Sequence, residues 1–554
     1  MRSRMPLGDY LVAYLRRAGV THLFGLPGDL VLNLFLSFAG RRGLEIVTLS
    51  HEPGVGFAAD GYARSSGRMG VIVVTYGAGG HNVINPVAGC YSEEVPLLVI
   101  SGGPGEGESR FGTLIHHQAK SLESQRKIFD EVTCATCVIS HPERAASRIH
   151  ELVQRVRSER RPGYLEIHRD VVDSKISVPP EIRTWDGQVP QRVTDRARVA
   201  EAARETADRI NAARKPVLLV GIEAFRAQTG RNLVRLAERI GAPVVETMLS
   251  KSAFPGQHPL YMGVHLGRGS PAALRKRVAE ADLLLALGAL DTDLDMGLSQ
   301  LRGRESRVWA TGRQVHVSRH TYVDVGLPEF VRALLRIPKL RRHRERVVYR
   351  DNLHRPRPGA RSRSGLAVND LLWTVNEFSA THHGYHVVAD SGDMLFGGLE
   401  LRVPRGGLYL AQGFYASMGF SVPGALGAEI ATGQRSIVLC GDGAFQMTGS
   451  ELAHAPRLGC RPIVILVNNG GWGIFRPVSP RMDLLELPPW PYAQMAEGWG
   501  GFGRRVSTAD ELSEALEQAD AESRFSLIEV RMNPLDLSPM SRRYIRESAA
   551  RARR

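Results

Sequence analysis

At 554 residues and 43% apolar content, with no repeat or low-complexity tract, the chain can bury several cores, and roughly three to four domains of about 150 residues are expected. The formal charge of +14 comes from arginines spread along the chain; they cluster mainly at Lys339 to Arg363 and Arg542 to Arg554, which read as solvated segments, and no RNA- or DNA-binding motif accompanies them. Five cysteines exclude a disulfide framework, and no run approaches about 18 apolar residues, so a soluble, cytoplasmic protein is expected, with neither nucleic acid nor membrane as a partner.

From Gly8 to about Asp173 helix and strand alternate: a helix around Tyr10 to Ala18, an apolar run His22 to Gly25, a strand Glu45 to Leu49, a helix Gly54 to Ser65, a strand Gly70 to Tyr76, then strands Leu97 to Ser101 and Tyr164 to Ile167. Val-rich strands in βα alternation mean a parallel sheet covered by helices. Cys134-x-x-Cys137 falls in a short strand, Glu131 to Ser140, and not in a strand-to-helix redox turn. A Pro-rich stretch, Val178 to Gln191, precedes a second alternating block with strands at Pro216 to Val220, Ala242 to Glu246, Leu283 to Leu287 and Gln314 to Val317. After an Arg/Pro/Ser-rich segment, a third block has strands at His386 to Asp390, Ser436 to Leu439, Ile463 to Asn468 and Leu527 to Val530. The expected fold class is α/β: three doubly wound parallel-sheet domains at residues 1–177, 178–340 and 366–535, with a basic linker over 341–365 and a basic tail over 536–554.

In the third block Gly441-Asp442-Gly443 follows an apolar strand, and a helical segment, Thr448 to Leu458, leads into a second strand ending in Asn468-Asn469. Adjacent strand ends of a parallel sheet place Asp442 and the asparagines at one carboxyl edge, where open α/β sheets bind ligands. A magnesium diphosphate needs a carboxylate with amide or backbone oxygens for the hard cation, and small residues that let N–H groups approach phosphate. Asp442, Asn469 and the Gly471 carbonyl fit as Mg2+ ligands, with Gly443 and Ala444 cradling phosphate.

Gly-Asp-Gly followed about 25 residues later by Asn-Asn resembles the cofactor motif of the thiamine-diphosphate enzymes, throughout Cys440 to Leu452 and Ile465 to Gly473. The resemblance spans nearly the whole chain and implies pyrimidine-binding, middle and diphosphate-binding domains, with thiamine diphosphate and Mg2+ as cofactors. It makes Met418, in Tyr415-Ala-Ser-Met-Gly-Phe420, the apolar side chain that bends the cofactor, and adds Thr75, Gly392, Asp393, Ala416, Trp472, Gly473 and Ile474 to the binding set. Glu52, which opens Glu-Pro-Gly-Val-Gly-Phe-Ala-Ala-Asp-Gly-Tyr-Ala-Arg64, corresponds to the glutamate that hydrogen-bonds the aminopyrimidine and activates the thiazolium; that role demands a carboxyl kept protonated in a buried, apolar site.

Gly25-Leu-Pro-Gly-Asp29 and Ile115-His-His-Gln118 resemble the loop aspartate and histidine pair of pyruvate, indolepyruvate and phenylpyruvate decarboxylases, and among subfamilies the chain looks most like the bacterial phenylpyruvate/indolepyruvate enzymes. The expected reaction is non-oxidative decarboxylation of a 2-oxo acid through a thiamine-diphosphate enamine. Once carbon dioxide has left, a proton must be delivered and the aldehyde released; Asp29 and His117, with His116 beside it, are the candidate acid/base groups. One departure matters: pyruvate and indolepyruvate decarboxylases carry a catalytic glutamate where this chain has Phe475. The phenylpyruvate branch lacks it too and takes an aspartate from the middle domain, for which Asp293 is the matching candidate, with Asp291 and Asp295 as close alternatives. Phe475 and Trp472 would make a roomy apolar pocket that suits an aryl or branched side chain.

The missing glutamate keeps open a carboligase or synthase outcome like that of acetolactate synthases, in which a second carbonyl traps the decarboxylated fragment; a non-catalytic scaffold is the remote alternative. Nothing between Pro216 and Val317 supports a flavin. In this family the cofactor lies between the first block of one subunit and the third block of another, which implies a homo-oligomer, a dimer or dimer of dimers.

Overall fold

The computed structural model describes residues 2–109, 114–189, 193–295, 306–343, 347, 353–356, 365–479 and 481–552. The first sheet has six parallel strands, in spatial order Glu45–Thr48, His22–Gly25, Gly70–Val74, Leu97–Gly103, Gly163–His168 and Ala135–Ile139. The third has six in the order Tyr409–Leu410, His386–Ala389, Ser436–Gly441, Ile463–Asn468, Ser526–Arg531 and Phe502–Val506, again all parallel. Numbered along the chain within each sheet, both read 2-1-3-4-6-5, so the two blocks are wound alike. Gly70–Val74 and Leu97–Gly103 are buried at every residue, the continuous pattern of strands covered on both faces.

The middle sheet has seven strands. Tyr261–Val264, Val244–Glu246, Pro216–Val220, Leu283–Leu287 and Arg307–Thr311 run parallel; Gln314–Val317 and His320–Val323 then add antiparallel. Gly312, at φ +56°, turns the chain back between Arg307–Thr311 and Gln314–Val317, so the strand read from sequence is a hairpin arm on an otherwise parallel sheet. Most of the 341–365 linker lies outside the described residues; at its start, the Arg341 N–H donates to Asn211 Oδ1 (2.7 Å).

Two expectations change. The helical segment before Ile463–Asn468 begins at Asp442 itself (Asp442–Thr448, then a 3-10 turn Gly449–His454 and Ala455–Leu458), because the strand end leads straight into a helix. The C-terminal run is not a free solvated tail over its described part: it forms a helix, Pro539–Ala552, that docks on the other blocks. Arg543 donates to Gly269 O and to Glu400 Oε1 (both 2.8 Å), and the Tyr544 ring stacks on Phe396.

The first and third blocks meet through corresponding helices, Glu52–Ser66 and Ser421–Thr432, each following the second strand of its sheet. Small residues face each other there. A Cβ on Gly61 would lie 2.0 Å from Gly424 O, and one on Gly427 1.9 Å from Ala58 O, so backbone rests on backbone. Phe57 packs edge-on against Phe420, and one core cluster runs through both blocks. Gly61→Ala should therefore destabilise the chain by about 1–3 kcal/mol or more, through forced separation of the helices. An unchanged denaturation midpoint would contradict the backbone contact.

Candidate active site

In both like-wound sheets the strand order reverses between the first and third strands, and the loops leaving the carboxyl ends of the strands around that point hold most of the residues singled out above. In the third block they are the turns after Ala389, Gly441 and Asn468. Asp442 is buried; its Oδ2 accepts the N–H groups of Gly470 (2.7 Å) and Gly471 (3.0 Å), and its Oδ1 that of Gly443 (2.9 Å). Burial pushes the Asp442 carboxyl up, opposed by those N–H groups and the Arg476 charge. Asn469 Oδ1 accepts the Gly471 N–H at 3.2 Å, and Gly471 O accepts that of Gly473 at 2.8 Å. Gly471 has no alternative: at φ +153° its Cβ would meet Leu485 O at 1.9 Å.

The ring of Trp472 lies 2.4 Å from where a Gly443 Cβ would stand, so Trp472 packs on the Asp442-Gly443-Ala444 turn. Phe475, on the short 3-10 turn Gly473–Phe475 that also carries Ile474, is 53% exposed in the single chain. Met418 is partly buried against the shared core; before it Ala416 has φ +56°, and after it the N–H groups of Gly419 (2.9 Å) and Ser421 (2.8 Å) are held by Asp390. Space is open beyond the α-carbons of Gly392 and Gly441. The Asp393 carboxylate, by contrast, is taken by Ser538, accepting its N–H (3.0 Å) and Oγ–H (2.7 Å), so any cofactor contact at Asp393 falls to its backbone. A buried carboxylate and an amide oxygen beside glycine-lined space are hard-oxygen chemistry and fit Mg2+ with a diphosphate.

In the first block, Glu52 begins its helix with 18% of its side chain exposed. Asn82 Nδ2 donates to Glu52 Oε2 at 3.0 Å, and Glu52 Oε1 lies 3.4 Å from a Cβ built on Gly79. The same Gly79 touches Thr75, whose buried Oγ1 has no hydrogen-bond partner among the described residues, an orphan suited to a polar ligand. Gly28 presses against Thr75, which sets Asp29 at the neighbouring loop. His116 Nε2 hydrogen-bonds Asp29 Oδ2, His117 Nε2 stands 3.8 Å from Oδ1, and the two rings meet edge-on. Burial pushes the Asp29 carboxyl up, but the bond from His116, the Leu30 N–H and the two imidazole charges outweigh it and hold the carboxyl below its ordinary value. His117 has φ +67° and its carbonyl fills the space a Cβ on Gly77 would need, so the glycine of Thr75-Tyr-Gly-Ala-Gly79 seats the histidine loop. Thr75 thus stands between the two sets, packed by Gly28 on the side of Asp29 and its histidines and by Gly79 on the side of Glu52.

The middle-block aspartates stand apart. Asp291 and Asp293 are exposed, and Asp293 Oδ1 accepts the adjacent Leu294 N–H (3.0 Å). Asp295 is buried, accepts the Met248 N–H at 2.9 Å and has no partner for Oδ2 among the described residues; burial pushes its pKa up to about 7. Among the described residues none of the three bonds to the Asp29 group. Sequence reasoning missed Asn82, Asp390 and Arg476. Arg476 is buried and donates to Asn469 O (2.8 Å), Gly470 O (3.1 Å) and Pro534 O (2.8 Å), fixing the turn that carries Asn469 and Gly471. An aspartate closing the apolar run Val387-Val-Ala-Asp390 was a readable signal; single polar residues such as Asn82 and Arg476 follow no spacing rule.

Three family models match in chain order: the thiamine pyrophosphate enzyme N-terminal TPP binding domain at residues 5–127, its central domain at 203–336 and its C-terminal TPP binding domain at 390–530. The chain is 37% identical to an indole-3-pyruvate decarboxylase of Azospirillum brasilense over 95% of both proteins. It is 29% identical to an alpha-keto-acid decarboxylase of Mycolicibacterium paratuberculosis over 96% of this chain and 94% of that one. A pyruvate decarboxylase 3 of Arabidopsis thaliana is likewise 29% identical, over 97% of this chain and 92% of the relative. With its three blocks matched in order and a relative 37% identical over 95% of its length, the chain belongs to the thiamine pyrophosphate enzyme family.

Proposed function

We propose that this enzyme decarboxylates a bulky 2-oxo acid, of the phenylpyruvate or indolepyruvate kind, non-oxidatively to an aldehyde and carbon dioxide. The observation that carries the reading is the Asp29, His116 and His117 group standing beside Glu52 and Thr75. The relatives named as decarboxylases of indole-3-pyruvate, alpha-keto acids and pyruvate support it. Bound thiamine diphosphate supplies the electron sink for the bond that releases carbon dioxide.

The chain's own residues do the rest. Asp442, Asn469 and the Gly471 carbonyl would hold Mg2+, and the small residues Gly443 and Ala444 would leave room for the diphosphate beside them. Met418 would support the cofactor, and Glu52, steadied by Asn82, would hydrogen-bond the aminopyrimidine. His117 delivers a proton to the carbon that has lost carbon dioxide, and the Asp29 carboxylate, bonded to His116, holds the two imidazoles in place. Phe475 leaves the pocket apolar where related decarboxylases have an acid, which favours an aryl or branched side chain and also gives a carboligase outcome its one supporting feature.

The functional unit in this reading is at least a dimer. Glu52 bonds within its own block, and the large exposed apolar side chains Leu114, Tyr415, Met447 and Phe475 all lie in segments that carry the site, the surface a second copy would cover. A cytoplasmic location belongs to the same reading: five free cysteines suit a reducing compartment, and no described helix is long and apolar enough to cross a membrane.

Holoenzyme given phenylpyruvate, indolepyruvate, branched 2-oxo acids or pyruvate should yield free arylacetaldehyde, identified by mass spectrometry, and Glu52→Gln should lower kcat by about 10²–10⁴-fold. Acyloins in place of free aldehyde, with an acceptor aldehyde present, would instead make it a carboligase. The middle-block aspartates separate by pH. The Asp295 carboxyl is neutral up to about pH 7 when folded but ionises near 4 when unfolded, so the folded state binds the extra proton and stability falls as pH rises from about 4 through 7. Asp295→Asn should raise Tm by a margin that widens between pH 5 and 8. Asp293→Asn, at an exposed carboxylate, should leave Tm unchanged and lower kcat if Asp293 serves the reaction; a pH-independent Asp295→Asn margin would count against the burial argument.

A further inference from the structure

Two buried glutamates occupy corresponding places in the like-wound blocks. Glu93 caps the helix Ile84–Ser92 between the third and fourth strands of the first sheet; Glu451 lies in the turn Gly449–His454 between the third and fourth strands of the other. Each reaches out of its own block. Glu451 accepts two consecutive N–H groups of the first block, Ser50 at Oε2 (2.8 Å) and His51 at Oε1 (3.0 Å). Glu93 Oε1 accepts two consecutive N–H groups of the third block, Phe414 (2.7 Å) and Tyr415 (2.9 Å). Both receiving segments join the second strand of a sheet to the helix of the glycine contact.

Each clamped pair leads directly into the site. After Ser50 and His51 comes Glu52; after Phe414 and Tyr415 come Ala416, in its left-handed conformation, and Met418. Neither segment has a ladder of its own to set it, and two adjacent N–H groups converging on one carboxylate fix the peptide planes and so the direction of the next side chain. The clamps are tightly built. Gly54 must lack a side chain, since its Cβ would stand 2.3 Å from Glu451 Oε1. Glu93 Oε2 is held by Arg64 (2.6 Å), which also pairs with Asp60 (2.6 Å) and donates to Ala411 O (3.1 Å), while Gln412 donates to Asp60 (3.0 Å). For packing alone, apolar residues would serve at less desolvation cost.

We propose that Glu451 and Glu93 are reciprocal positioning residues: each block uses one buried carboxylate to fix the segment of the other block that carries its cofactor-facing group, Glu52 in one direction and Met418 in the other. The proposal rests on the roles given above to Glu52 and Met418.

The test uses the full-length holoenzyme. In Glu451→Gln the amide nitrogen must face one of the two N–H groups. Hydrogen–deuterium exchange at C2 of bound thiamine diphosphate, read by NMR after acid quench, should slow at least about tenfold, the worth of one charge-assisted hydrogen bond, while the Kd for thiamine diphosphate moves far less. In Glu93→Gln the Kd itself should rise by a similar factor. Gly54→Ala, which crowds the Glu451 carboxylate without changing any charge, should reproduce the exchange defect and stands in if Glu451→Gln folds poorly. The decisive readout is non-additivity: Glu451→Gln should add nothing to Glu52→Gln, and Glu93→Gln nothing to Met418→Ala. Additive losses, or wild-type exchange and affinity in the single variants, would overturn the proposal. A slow Glu451→Gln beside a normal Glu52→Gln would instead locate the failure in the role assigned to Glu52.

Discussion

The contact on which the rest of the molecule depends is the crossing of Glu52–Ser66 over Ser421–Thr432, where glycines let main chain touch main chain. Side chains at such a crossing would hold the axes apart, roughly 8–10 Å being the usual spacing. Removing them brings two complete α/β blocks close enough to share a core, with Phe57, Phe420, Val422 and Leu426 in one cluster. The helix on the first-block side starts with Glu52, and the one on the third-block side starts just after Met418, so this crossing sets both halves of the chemistry at once.

Around that crossing the interface is polar, which is unusual for a buried surface. Asp60, Glu93, Glu451 and Arg64 have little or no exposure, and their cost is offset only because every charge meets a partner or a backbone N–H. The arrangement trades raw stability for a defined geometry. Apolar packing alone would tolerate sliding of one block on the other by fractions of an ångström, whereas carboxylates bonded to consecutive amides do not.

The sequence made much of this legible. Pro216–Val220, Leu283–Leu287 and Ile463–Asn468 were read to the residue, because a fully covered parallel strand shows as an unbroken apolar run between turn residues. Asp442 and Asn469 were singled out by motif spacing, and Glu52 and the histidine pair by the family resemblance. What escaped was governed by contacts between distant segments. The antiparallel hairpin at Gln314–Val317 depends on Gly312, the docking of Pro539–Ala552 on Glu400 and Gly269, and the Asp393 carboxylate on Ser538. Asn82, Arg476, Glu93 and Glu451 act across turns or across blocks, and no local period encodes that.

The glycine crossing also bears on how the chain is made. Its two helices are separated by about 350 residues, including the whole middle block. Thermodynamically that separation is mild, since loop closure grows with the logarithm of length and a tenfold longer connection costs only about 2 kcal/mol more. During synthesis it is severe. At about 5–20 residues per second, the first block waits roughly 20–70 seconds for its partner, with Val55, Phe57 and the bare glycine backbone uncovered. The surface on which the first and third blocks join is therefore uncovered throughout synthesis of the middle block, and aggregation of nascent chains should begin there.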